Sequence, residues 1–131
     1  IRNCLDWIFE NAQQFDGDNN QIFVAGHSAG GHLTGLMCSP SGPTYLKGGC
    51  SLSGIHDLEP IRLSYLNVQV RLTLNEVEKY SPVRIVESMV PEEVKLPPII
   101  IAVGAKEGQE YLYQTNRLTD VLNEAKQPVL K

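Results

Sequence analysis

The five residues Gly26-His27-Ser28-Ala29-Gly30 constrain this chain more than any other stretch. The residues before them, Gln21-Ile22-Phe23-Val24-Ala25, read as a short buried strand. Gly31 to Cys38 read as a helix with small residues at its start. A serine between strand and helix, flanked by glycines, marks a turn so tight that its backbone is strained and only small neighbours avoid a clash. Such a turn lifts the hydroxyl of Ser28 above the sheet edge. It also aims the Ala29 N–H, at the helix N-terminus, at the same point. Gly-x-Ser-x-Gly by itself is common in loops. The strand before it and the helix after it make it specific.

The 131 residues have the length of one domain, and 42% hydrophobic residues suffice for a core. A net charge of −4 gives no electrostatic case for nucleic acid or anionic membrane as a partner. No apolar run approaches a membrane span, and no signal peptide opens the sequence. Cys4, Cys38 and Cys50 are odd in number and scattered, with no metal-ligand spacing, so free thiols in a reducing, cytoplasmic compartment are expected.

Ile1, Leu5, Ile8, Ala12 and Phe15 recur at helical spacing and predict an amphipathic helix over residues 1–15. Asp16 to Asn20 is a polar turn, and Gly48 to Gly54 is a second, glycine-weakened strand. Residues 55–94 form an irregular excursion, a cap over the pocket, in which Thr73-Leu74-Asn75-Glu76 predicts a capped short helix stopping before Pro82. Ile99 to Val103 is an apolar, β-branched run that fits a parallel strand covered on both faces. Leu112, Thr115, Leu118, Val121, Leu122 and Ala125 predict a last helix ending near Pro128, after which Val129-Leu130 starts another strand. Strands alternating with helices indicate an α/β chain with a parallel, doubly wound sheet. Three strands are few for such a sheet. With no initial methionine before Ile1, residues 1–131 are expected to be an internal, central to C-terminal portion of one larger domain.

A serine hydroxyl needs a base to take its proton, normally a histidine oriented by a carboxylate. Two acids follow strands at the right edge: Asp57, which reads more readily as a turn or capping residue, and Glu107, whose other reading is an exposed capping residue before the helix. Glu110 lies three residues later, already inside a helix. His27 sits in the tight turn and points away from the serine hydroxyl, His32 lies within the following helix, and no histidine occurs after His56. The base and the upstream glycine-rich loop that supplies a second oxyanion donor are not in this sequence.

The elbow itself resembles that of the α/β-hydrolases, in which the acid and then the histidine follow the serine. Ser53-Gly54-Ile55-His56-Asp57-Leu58-Glu59-Pro60-Ile61 narrows the resemblance to their arylformamidase (kynurenine formamidase) branch. Further stretches run from Asn67 through Leu72-Thr73-Leu74 to Ser81-Pro82, and from Val103-Gly104-Ala105-Lys106-Glu107 to Gln114-Thr115. The resemblance implies hydrolysis of N-formyl-L-kynurenine to formate and kynurenine, a step of tryptophan breakdown, without metal or organic cofactor. It makes Ser28 the nucleophile, Glu107 the triad acid and Ala29 an oxyanion donor, and it puts the histidine beyond Lys131. His27, His56, Tyr65 and Asn67 become pocket residues by the same route, although cap packing explains the last three equally well. A general carboxylesterase of the same fold, acting on small aryl esters, is the nearest alternative. A truncated or degenerate hydrolase without activity is the other. Oligomeric state, homodimer included, stays open.

Overall fold

The computed structural model describes residues 1–89 and 94–131. Its frame is a parallel sheet of β1 (Phe23–His27), β2 (Gly48–Leu52), β3 (Ile99–Ala102) and β4 (Val129–Leu130), side by side in chain order. Val129–Leu130, read from the sequence as the start of another strand, completes a ladder with Ile99–Ile100 and joins the three longer strands as the fourth. In register, Ala25 lies opposite Cys50, Cys50 opposite Ile100, and Ile100 opposite Leu130.

Among the described residues the strand order β1-β2-β3-β4 does not reverse, so this span shows one winding direction of the expected sheet. Parallel crossovers are right-handed, so crossovers that all advance in one direction leave their helices on one face. The helix α2 (Ala29–Met37) covers β1 and β2, while α6 (Pro82–Glu87) and α7 (Gln109–Glu124) cover β3 and β4. Val83 and Val86 of α6 join Ile99, Ile101, Leu118, Val121 and Leu122 in the main core. Ile101 is fully buried there, whereas Ile100, on the opposite face, is 45% exposed. Phe23, Leu52 and Leu130 are exposed as well. The apolar run of β3 is therefore covered on one face, not two, among the described residues.

At the N-terminus the predicted helix divides into α1 (Arg2–Asn11) and a 3₁₀ turn over Ala12–Phe15. Asp16, at φ 58°, ends it in the left-handed region. Leu5 of α1 packs with Ile22, Met37 and Leu46 in a second, smaller core. The excursion holds three short helices, α3 (Glu59–Arg62), α4 (Asn67–Val70) and α5 (Leu74–Tyr80), before α6. Thr73 and Glu76 form the predicted capping box, with Glu76 N–H donating to Thr73 Oγ1 at 3.3 Å and Thr73 N–H to the Glu76 carboxylate at 2.8 Å. Pro82 opens α6 at the first turn, where its missing N–H costs nothing. The excursion thus has two characters: α6 belongs to the core, and α3 to α5 stand at the sheet's C-terminal end beside α2. Residues 90–93 of the predicted 55–94 cap lie outside the described residues. All three cysteines are free; Cys38 is buried and its thiol pushed up to about 12 by burial, Cys50 is half-buried, and Cys4 is exposed. No helix among the described residues is long and apolar enough to cross a membrane.

Candidate active site

Ser28 has φ 55° and ψ −116°, a backbone conformation that costs energy for any residue with a Cβ. Two hydrogen bonds hold it there. Its N–H donates to Leu52 O at 2.9 Å, docking the turn on the end of β2. Its carbonyl accepts from His32 N–H at 2.9 Å and so starts α2. A Cβ on Gly26 would lie 2.3 Å from Gly30 O, and one on Gly31 would lie 2.7 Å from Gly54 Cα. On Gly30 it would meet nothing within 4 Å. The tightness of the elbow therefore rests on Gly26 and Gly31, not on the second glycine of the sequence pattern. Ala29 is the first residue of α2, so its N–H has no acceptor within the helix and is available to an anion.

Glu107 sits in the turn after β3, its N–H donating to Gly104 O at 3.0 Å. Its carboxylate accepts a hydrogen bond from Ser53 Oγ. His27, Leu52, Ser53, Ala102 and Glu107 line an open cavity of about 370 Å³ at the C-terminal ends of β1, β2 and β3. Ser28 follows β1 and Glu107 follows β3, so one intervening strand, and hence ~10 Å of sheet, separates their stems. Such a span leaves room for one imidazole hydrogen-bonded at both ends.

The other predicted residues are placed differently. Asp57 accepts from Glu59 N–H at 2.9 Å and pairs with Arg84 at 3.2 Å, the turn-capping role. His56 is fully buried beneath α2, with Nε2 3.4 Å from Ser51 Oγ and Nδ1 without a partner among the described residues. Burial, and after it the charge of His32, lowers the His56 pKa to about 4, so the ring is neutral. His32 Nδ1 lies 2.9 Å from Ile55 O; burial lowers its pKa and this bond partly offsets the effect. Tyr65 is 84% exposed. The Asn67 side chain closes its own loop, accepting from Leu72 N–H at 2.6 Å. His27, exposed at the end of β1, is the histidine that shares a cavity with Glu107.

A larger cavity of about 510 Å³ opens beside Ala29, walled by His32, Leu33, Leu36, Ile55, Leu58 and Tyr80 among others. Three residues that organise this end of the sheet lie in the stretches of family resemblance, but the sequence reading assigns none of them a role. Ser53 binds Glu107, and Ser81 Oγ accepts from Leu58 N–H at 2.9 Å. Gln114 Oε1 accepts from His56 N–H at 2.6 Å and from Asp57 N–H at 2.9 Å. Among the described residues no group of three His, Cys, Asp or Glu side chains could hold a metal ion.

The BD-FAE family model matches residues 1–52. Kynurenine formamidase of Danio rerio is 28% identical over 109 residues, covering 79% of this chain and 37% of that protein. The Salmo salar kynurenine formamidase is 29% identical over 99 residues, covering 72% and 33%. The chain thus spans about a third of the length of the curated relatives it matches. Esterase 2 of Thermogutta terrifontis, phosphoramylated by tabun, superposes with a TM-score of 0.71 at 16% identity, over 98% of this chain and 49% of that one. The chain has the α/β-hydrolase fold. Its sequence is similar to the kynurenine formamidases.

Within the α/β-hydrolase fold, the C-terminal sheet edge gathers a strained serine, a free helix-terminal N–H and a carboxylate one strand away. Those groups suit acyl transfer, in which a serine attacks a carbonyl and the N–H holds the resulting oxyanion.

Proposed function

We propose that the full-length protein is a serine hydrolase that cleaves N-formyl-L-kynurenine to formate and kynurenine. The observation that supports this reading is the backbone of Ser28, held at φ 55° between β1 and α2 in a chain whose sequence is similar to kynurenine formamidases. Ser28 Oγ attacks the formyl carbon while a histidine beyond Lys131 takes its proton. Ala29 N–H stabilises the oxyanion. Glu107 orients the imidazole and balances its charge. The imidazolium then protonates the departing arylamine, and water releases formate from the formyl-serine. The apolar cavity beside Ala29 offers room for a flat aryl group. A small molecule is the partner in this reading, with neither nucleic acid nor membrane involved; a cytoplasmic location accords with three free cysteines. By itself the chain would be inactive, since the base is elsewhere and the Ile100 face of the sheet is open.

A carboxylesterase is the second reading, favoured by the likeness in fold to esterase 2. A steady-state comparison of N-formylkynurenine with acetyl, butyryl and octanoyl nitrophenyl esters separates the two. A formamidase has a tight acyl site, so its kcat/KM falls steeply beyond acetyl and N-formylkynurenine is the better substrate. Flat or rising efficiency along the esters, with no formamidase turnover, makes the protein a carboxylesterase.

A further inference from the structure

We infer that Ser53 is a positioning residue for Glu107, holding Oε1 of the carboxylate so that Oε2 is the oxygen presented to the cavity beside His27. The inference rests on the reading of Glu107 as the acid. Ser53 is only 5% exposed and follows directly on β2. Its N–H donates to Ala102 O at 2.7 Å, which fastens it to the end of β3, the strand that leads into the Glu107 turn. Its Oγ donates to Glu107 Oε1, whereas Oε2 has no hydrogen-bond partner among the described residues.

Two features separate this contact from an incidental one. Ser53 has φ 46°, a left-handed conformation in which glycine would be unstrained, so the serine side chain is retained at a conformational cost. Gly104 supplies the other half of the clamp. A Cβ there would lie 3.0 Å from Glu107 Cγ and 3.3 Å from Oε1, so the glutamate folds back over bare backbone. Ser53 at Oε1 and Gly104 against Cγ thus hold the glutamate side chain at two points. The chemistry of the donor also matters. A neutral hydroxyl fixes the carboxylate without cancelling its charge, which a lysine or arginine in the same place would do. The charge stays available to an imidazolium.

The test uses the full-length protein and nitrophenyl acetate, a substrate for formamidase and esterase alike. Ser53→Ala and Ser53→Gly should each lower kcat about tenfold to a hundredfold with KM little changed, as misplacement of a catalytic group does. Glycine relieves the left-handed strain, so Ser53→Gly should melt higher than Ser53→Ala while losing the same activity. In a Glu107→Gln background, Ser53→Ala should cost less than about twofold more, because the group it positions no longer acts. Activity that follows the melting temperature, or an equal loss in both backgrounds, overturns the inference. If Glu107→Gln alone leaves kcat unchanged, the acid has been misassigned. That failure is visible in the single variant.

Discussion

Gly31, in the first turn of α2, and Gly54, just past β2, meet backbone to backbone. A Cβ on Gly31 would fall 2.7 Å from Gly54 Cα and 2.9 Å from Leu52 O. This contact sets how closely the helix that carries Ala29 approaches the turn that carries Ser53. Gly31→Ala should therefore destabilise the fold by about 1–3 kcal/mol, the usual cost of overpacking. Gly30→Ala, which meets nothing within 4 Å, should be neutral or stabilising by up to about 1 kcal/mol through helix propensity. Urea denaturation of both variants checks this, and equal costs would contradict it.

Gln114 should matter more to stability than the ion pair it sits behind. Gln114→Leu leaves the N–H groups of His56 and Asp57 without their acceptor, at about 1–3 kcal/mol for each that stays dry. Asp57→Asn keeps an oxygen for Glu59 N–H and weakens a half-exposed pair with Arg84, which Glu78 also holds. Its cost should stay below about 1 kcal/mol. Denaturation midpoints rank the two variants, and the reverse order would show that Asp57 carries the turn.

In kinetics the two acids should separate in the order read from the sequence. Glu107→Gln should lower kcat by roughly three to four orders of magnitude in the full-length protein, with the fold retained. Asp57→Asn should leave kcat within about threefold, because its carboxylate is committed to Glu59 N–H and Arg84. A larger loss in Asp57→Asn would move the acid to the loop after β2.

The elbow, the capping box at Thr73 and the helix after Glu107 were legible in the sequence because each depends on neighbours in the chain. The single-sided sheet was not, since helix placement follows from strand order, which no local pattern encodes. Periodicity likewise could not tell that Ile100 faces away from the helices while Ile99 and Ile101 face them, in a run apolar at every position. The roles of Ser53 and Gln114 were unreadable for a related reason, although both lie in stretches that carry the family resemblance. Each acts on a partner 54 or 58 residues distant in the chain, and nothing local marks the pairing. The pattern of the elbow named Gly30, but the demand for glycine falls on Gly31, through a neighbour brought in from the next strand.

His56 gives the fold a pH dependence of definite sign. Its pKa is lowered to about 4 from 6.5, so between these values the unfolded chain takes up a proton that the folded chain refuses. Stability is thus fully present above pH 6.5 and declines as pH falls towards 4, by about 3 kcal/mol from this residue. The difference in unfolding free energy between the parent chain and His56→Leu should shrink by that amount across the window. A difference that stays flat from pH 7 to pH 4 would mean that His56 is solvated or paired.

Covalent labelling tests the assignment of Ser28 as nucleophile most directly. The full-length protein should be treated with a fluorophosphonate, digested, and its modified peptide sequenced by mass spectrometry, in parallel with assay of N-formylkynurenine turnover. A single adduct on Ser28, with labelling and turnover both lost in Ser28→Ala, is the expected result. An adduct on another residue, or turnover that survives Ser28→Ala, would contradict it.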